Sequence, residues 1–503
     1  MIHSVESQEW KNLESKCEHQ TFVIRGKTLT FAPQFAAGFP TRPPIKIDKM
    51  KKTIMMSVAM MMFTCQLLAQ EFTTPGEGKA YSFQALSAIS ESGVTFTDGA
   101  FIVNGVVTIA PEDEFVIDPG VTVSFTNEGE LVIKGKADLR ATTPTRLCAS
   151  GETSTSLGLN VQSEELVEVS NLTFEQVGLR GGVKAGMNVS DCTFLKHNGS
   201  ASSALFLGGD GASFKVVNCT FENCQKAAIG GAANYLCPLI VENCVFKRNS
   251  QANGNVPQLN LTAAKEISIS NCVVEGDTTL TMVGGIGVAN WFGTEGLHVS
   301  ISGCEITNNR YGITTMGVLD VDINGNTLSN NRFEVNPNNG GSGISLYDPY
   351  YKQKAKVTGN NIEKNLWGIT VIGCGDVNLG KTEVEVTSPD YNPGGNIFHD
   401  NGNNGQPYDL YNNSANTVYA QGNFWSVNTQ DKESIETVVF HKNDNPSLGE
   451  VVFMPAGTTQ GVELKMLKGQ ENMVIYDLRG MKVDAKNLRK GLYIINGKKV
   501  VLK

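Results

Sequence analysis

Apolar and polar residues alternate in short runs along the middle of this chain, and each run breaks at asparagine, aspartate or glycine. FKVVNCTF, ISISNCVV, HVSISGCEI and DVDINGNTL carry an apolar residue at every second position, stop at the turn former, and resume beyond it. The pattern predicts two short strands, each with one buried face, meeting at a corner. A third strand follows where the chain resumes as AAIGG, YGITTM, SGISLY or WGITVIG. No segment of helical period lies between the strands, which argues against a βαβ sheet.

The corner recurs. Aligned on it, the chain reads NLTF, DCTF, NCTF, NCVF, NCVV, GCEI, GNTL, GNNI, GNIF and GNFW, with second residues spaced by 20, 27, 25, 28, 32, 22, 34, 36 and 27. A helical-hairpin array has a fixed period set by its packed helices, so this irregular spacing excludes one. Coils with constant strands and variable loops accommodate it. Three strands per turn predict an all-β, single-stranded parallel β-helix whose coils lie ~4.8 Å apart, so that like residues stack on like.

The NCTF- and GNTL-type repeats, with the Gly-Ile that follows them, resemble the pectate-lyase-like family of right-handed parallel β-helices. Residues 94–134, with a strand every few residues broken by Gly or Pro-Gly, resemble the opening coils of that family. GNFWSVNTQDKESIETVVFHKNDNPSLGEVVFMP resembles its closing segments. The likeness covers roughly residues 90–455 and implies a right-handed solenoid over 71–455. It implies no single chemistry, because the family includes lyases, hydrolases, adhesins and inert scaffolds.

Both ends carry addresses. Met50-Lys51-Lys52 followed by TIMMSVAMMMFTCQLLA predicts a signal peptide over 50–70, cleaved near Ala69 or Gln70. Its apolar core is short for a membrane span, so no stable transmembrane segment is expected after cleavage. Residues 1–49 show no clear periodicity and read as an upstream extension of the true start; the competing reading is a cytoplasmic tail before a membrane anchor. At the other end, 456–461 form a linker and 462–503 a small β segment. Tyr476, Asp477 and Gly480 in VIYDLRG, with Gly491, Tyr493, Lys498 and Lys499 in KGLYIINGKK, resemble the type A sorting domain of the type IX secretion system. The resemblance implies a β-sandwich-like module read by the type IX secretion machinery. It also implies a Gram-negative cell that secretes the protein or displays it on its outer membrane.

Charge narrows the partners. A formal net charge of -9 and a pI near 5.4 provide no basic surplus for a phosphate backbone, so nucleic acid is not expected as a partner. Of 11 cysteines, Cys192, Cys219, Cys244, Cys272 and Cys304 share one register in successive coils. Side chains stacked at ~4.8 Å lie beyond the ~3.5–4.5 Å Cβ separation a disulfide prefers, so these read as buried free thiols. One ligand per coil in a straight line cannot surround a tetrahedral ion, and no metal is expected there. From Asn326 the register continues as Asn360, Asn396 and Asn423, an amide ladder that satisfies corner backbone groups.

Candidate chemistry is sparse. The outward positions before the ladder place Asp320 and Asp322 between His298 on one side and Lys354 and Lys356 on the other. In residue type this resembles the family's lyases, which pair calcium-binding carboxylates with a basic residue. The residues themselves read rather as a cross-strand ion-pair row on a solvated face. The family's active sites lie on the sheet of the Gly-Ile segments, where the outward residues Thr314, Ser345, Tyr347 and Thr370 include no acid or base. Long loops carry Trp291, Phe292, Tyr347, Tyr350 and Tyr351, aromatic residues suited to stacking on sugar rings or to folding down onto the solenoid. The sequence thus predicts an exported, non-catalytic β-helix at the cell surface or secreted, which binds a polysaccharide or host glycan or serves adhesion, and needs no cofactor. The alternative is a polysaccharide lyase or glycoside hydrolase acting on uronate polymers, with calcium under the lyase reading alone.

Overall fold

The computed structural model describes residues 71–151, 155–199, 201–209, 212–231, 238–262, 265–290, 292–334, 336–350, 352–457, 475–477, 482–483, 491–495 and 498–502. The predicted signal peptide and upstream extension lie outside the described residues. Residues 71–457 form a right-handed parallel β-helix. Its face A is a 14-stranded parallel sheet running from Glu71–Thr73 to Val439–Phe440. Faces B and C hold the strands on either side of the sequence corner. In one coil these are Ile313–Met316 (A), Asp320–Asn324 (B) and Thr327–Ser329 (C). Each pairs in register with the next coil, as Ile313 with Ile344, Val321 with Ala355 and Leu328 with Ile362.

The B–C corner forms because the residue before the ladder adopts a left-handed backbone. It is Asn171, Asp191, Asn218, Asn243 or Asn271 early on, with φ between 52° and 56°, and glycine from Gly303 onward. These are the residue types that occupy this region at low cost. The next left-handed position, five residues on, turns face C back toward face A, as at Asn308 (φ 62°) and Asn330 (φ 57°). Two such kinks and one loop close each coil.

Packing follows the register. Phe174, Phe194, Phe221 and Phe246 stack with centroids 4.6, 4.6 and 5.1 Å apart, all fully buried. Beside them, Cys192, Cys219, Cys244, Cys272 and Cys304 are buried and unbonded. Cys219, Cys244, Cys272 and Cys304 each donate to the carbonyl two residues earlier at 3.2–3.4 Å. Below the thiols, the Oδ1 of Asn360 accepts from the backbone and side-chain nitrogens of Asn326, both at 2.9 Å; Asn396 does the same for Asn360, and Asn423 for Asn396. Each Nδ2 also donates to a backbone carbonyl, so the corner keeps its buried polar groups paired.

At the N-terminal end, the short helix Phe83–Ser87, capped by Ser82, seals the first coils with Phe83 and Leu86. Ala456 still packs on the core, and the Gly457 N–H donates to Asn423 at 2.8 Å, so the solenoid's contacts reach into the sequence-predicted linker. The described part of the tail is an antiparallel three-stranded sheet of Ile475–Asp477, Gly491–Ile495 and Lys498–Leu502. It contains the backbones of Tyr476, Asp477, Gly491, Tyr493, Lys498 and Lys499, whereas Gly480 lies outside the described residues. Among the described residues no helix is long and apolar enough to cross a membrane.

Candidate functional site

The ionic residues lie on face B. His298, Asp320, Lys354 and Asp376 stand side by side on successive strands, and Ser300, Asp322, Lys356 and Asn378 form the row beside them. His298 Nε2 lies 3.7 Å from Asp322 Oδ2, with both side chains half-buried. These rows stand on a flat, solvated face and point away from face A.

Phe292 is 63% and Tyr350 69% exposed. The loop carrying Tyr350 is tied by the buried carboxylate of Asp348, which accepts from the backbone nitrogens of Tyr350, Lys352 and Gln353. Lys352 bridges to Glu295 at 3.2 Å, joining this loop to the one that bears Phe292. Tyr347 stands between Met316 and Ile372 in the row at the ends of the face A strands. Trp291 and Tyr351 lie outside the described residues.

A different set of residues builds a cleft on face A, with a volume of about 370 Å³. Its floor is the outward row Thr314, Ser345 and Thr370, which ends against Tyr411 in the next coil. Thr370 is buried rather than open, its hydroxyl 3.0 Å from that of Ser342. Tyr311 and Trp367 form the walls, each placed just before a Gly-Ile pair. The ring of Tyr311 lies across the preceding coil over Gly284, where a Cβ would come within 2.0 Å of it; glycine there is a packing requirement. Trp367 packs on Tyr411, with centroids 5.2 Å apart at 22°, and on Tyr408 at 4.6 Å.

The insertion between Asn331 and Ser342 supplies the rim, Pro337, Asn338, Asn339 and Gly340. Two side chains pin it: Trp367 Nε1 donates to the Pro337 carbonyl at 2.9 Å, and the Arg310 guanidinium donates to the Asn339 carbonyl and to Asn255 Oδ1. Burial pushes the Tyr311 phenol up to about 12 and raises that of Tyr411, so both stay uncharged at neutral pH. Among the described residues lining the cleft there is no carboxylate, ammonium, guanidinium or imidazole.

Under the cleft's N-terminal edge runs a second buried column, which the sequence reading passed over. Five residues after the first ladder stand His197, Cys224, Asn249, Asn309, Asn331, Asn365 and Asn401. In the coil of Cys272 this position is the partly exposed Asp277, and Gln258 fills the gap. Gln258 accepts from Asn249 and donates to Asn309 Oδ1 at 3.0 Å. The column then continues from Asn309 through Asn331, Asn365 and Asn401 to the carboxylate of Asp409. Glycine at 312 and 343 lets the coils close on it, since a Cβ there would meet the next coil's carbonyl at 2.5 and 2.8 Å and the Nδ2 of Asn331 and Asn365 at 3.2 and 3.0 Å.

The two ends of this column titrate in opposite directions. His197 has no hydrogen-bond partner on either ring nitrogen among the described residues, and burial, aided by Lys226, lowers it to about 4. Burial raises Asp409 to about 6 despite bonds from Ser426 and Asn401. Between pH 6.5 and 4 the unfolded chain takes up a proton at residue 197 that the folded chain refuses, so this group costs stability on acidification. Between pH 6 and 4 the folded chain takes one up at Asp409 that the unfolded chain refuses, which adds stability. Each effect is about 3 kcal/mol at most. Relative to wild type, His197→Asn should therefore gain stability on acidification through this window and Asp409→Asn should lose it. Urea melts at successive pH values check this, and parallel profiles for the two variants would refute it.

One histidine-acid cluster has the spacing of a metal site. Glu436, His441 and Asp444 bring ligand atoms within 4.8 Å of one another. However, His441 Nδ1 accepts from the Val451 N–H at 2.9 Å, which leaves the ring proton on Nε2, 2.8 Å from Glu436 Oε1. A metal on Nε2 would need that proton moved to Nδ1, against the Val451 N–H. The residues fit a hydrogen-bonded clasp and do not fit a metal site.

No family model matches the chain, and no curated protein matches it. Among solved structures it is similar to a double mutant of the periplasmic alginate epimerase AlgG, at 12% identity and a TM-score of 0.43 over 75% of this chain and 83% of that one. It is also similar to the pectate lyase Pel9A, at 12% identity and a TM-score of 0.26 over 70% and 71% of the two chains. A mannuronic acid-specific polysaccharide family 6 lyase from human gut microbiota matches at 10% identity and a TM-score of 0.31 over 78% and 94%. At these identities the likeness is one of fold alone.

Proposed function

We propose that this protein is an exported β-helix that binds a polysaccharide in the face A cleft and does not cleave it. The observation that carries the reading is the cleft's lining. Aromatic carbon from Tyr311, Trp367 and Tyr411 faces hydroxyl and amide groups from Thr314, Ser345, Asn338, Asn339 and Asn413. A sugar ring is amphipathic in the same way, with apolar C–H faces and a polar rim. Lysis or hydrolysis needs a positioned acid and base, and the described lining offers no carboxylate, imidazole or amine, only phenols, of which burial raises Tyr311 to about 12. Export rests on the signal-peptide pattern at 50–70 and on the likeness of 462–503 to type IX sorting domains, which supports display at an outer-membrane surface or release from it.

The purified full chain, presented to a glycan library, is expected to retain at least one polysaccharide while releasing neither reducing ends nor unsaturated uronates. Turnover of a uronate polymer would overturn the non-catalytic reading and favour a lyase or hydrolase working from a surface other than this cleft.

A further inference from the structure

Building on that reading, we infer that the cleft takes an uncharged glycan and discriminates against uronate polymers. A uronate entering the cleft gives up water, and its negative charge then needs a cation or several convergent N–H donors. The described lining offers phenols held uncharged, aliphatic hydroxyls and carboxamides. Part of this capacity is already spent, since the Thr370 and Ser342 hydroxyls pair with each other.

The guanidinium next to the cleft wall in sequence is largely committed elsewhere. Arg310 adjoins Tyr311 in sequence, but its two Nη groups donate to Asn255 Oδ1 and to the Asn339 carbonyl, leaving only the buried Nε beside Gly340 without a partner among the described residues. Drawing it toward a ligand would release the rim that completes the site. The buried Asp409 carboxylate, two residues before Tyr411, accepts from Asn401 and Ser426 and offers an acidic ligand nothing. The formal net charge of -9 adds a weak long-range repulsion of the same sign. A neutral hexose meets none of these penalties: its hydroxyls both donate and accept, and can pair with Ser345, Asn338 and Asn413 whatever their orientation.

The experiment is a calorimetric titration of the full chain with two sets of hexasaccharides. One set is neutral (β-1,4-glucan, β-1,4-mannan and α-1,4-glucan) and the other is acidic (mannuronate and galacturonate oligomers). Wild type and Trp367→Ala are compared, with urea melts confirming that the variant is folded. The expected result is binding of a neutral oligomer, dependent on Trp367, with uronates about 30-fold weaker or worse, the cost of one charged group left unpaired. Ser345→Lys, which puts an ammonium on the exposed floor, should narrow that gap by at least tenfold. Uronate binding that equals or exceeds neutral binding and needs Trp367 would overturn the neutral preference while leaving the cleft as the site. Binding that ignores Trp367, or no binding of either class, would overturn the proposed site itself.

Discussion

Asn365→Leu is expected to lower the unfolding free energy by about 4 kcal/mol. The Oδ1 of Asn365 accepts from the Asn331 backbone N–H at 2.9 Å, and its Nδ2 donates to the Leu328 carbonyl at 3.1 Å. Leucine removes both partners while keeping the site buried, and each orphaned backbone group costs about 1–3 kcal/mol. Because each coil touches only its neighbours, the damage should be local, loosening the coils around the cleft before the rest of the solenoid. Asn361→Ala, on the outward side of face C in the same coil, is the control and should change stability by no more than about 0.5 kcal/mol. Urea unfolding followed by far-UV circular dichroism makes the comparison. Equal midpoints for the two variants would show that the column contributes little.

Trp367 is expected to dominate ligand binding. Trp367→Ala removes a wall of the cleft and the indole N–H that holds Pro337, and should weaken glycan binding about 30-fold or more, as loss of a central aromatic anchor does. Trp367→Phe separates the two contributions. It keeps a ring packed on Tyr411 but frees the Pro337 carbonyl, so the rim loosens and binding should fall only about three- to tenfold, a neutral hydrogen bond's worth. A phenylalanine variant as weak as the alanine variant would make rim positioning, and not the aromatic wall, the main role of this residue.

Much of the fold is legible in the sequence because the B–C corner carries three signals together. Period-two alternation runs into it, a left-handed residue marks it, and one side-chain type occupies the ladder over several coils, first cysteine and then asparagine. The second column obeys the same offset in NCTFENC, GCEITNN, GNTLSNN and GNNIEKN, yet its occupants shift from His197 to Cys224 to Asn249. It then borrows Gln258 from a loop, which breaks any simple periodic reading. The cleft is harder still. Tyr311 and Trp367 sit one residue before the glycine that opens face A, outside the alternation that tells inward from outward. Their partners, Pro337 to Gly340, come from an insertion whose placement depends on hydrogen bonds from Arg310 and Trp367. The exposed loop aromatics Phe292 and Tyr350 are conspicuous in the sequence by composition, and the backbone bonds of Asp348 and the Lys352–Glu295 pair tie their loops to each other.

The ionic row on face B and the cleft on face A are two separate surfaces, and one comparison decides between them. Affinity for the tightest-binding library glycan should be measured on wild type, on Trp367→Ala and on the Asp320→Asn/Asp322→Asn double variant, with reducing ends assayed in the same samples. Binding at the cleft predicts an unchanged affinity in the aspartate variant, a loss in Trp367→Ala and no sugar release from any of the three. Affinity lost with the aspartates and kept without the tryptophan, or sugar release that the aspartates control, would contradict it.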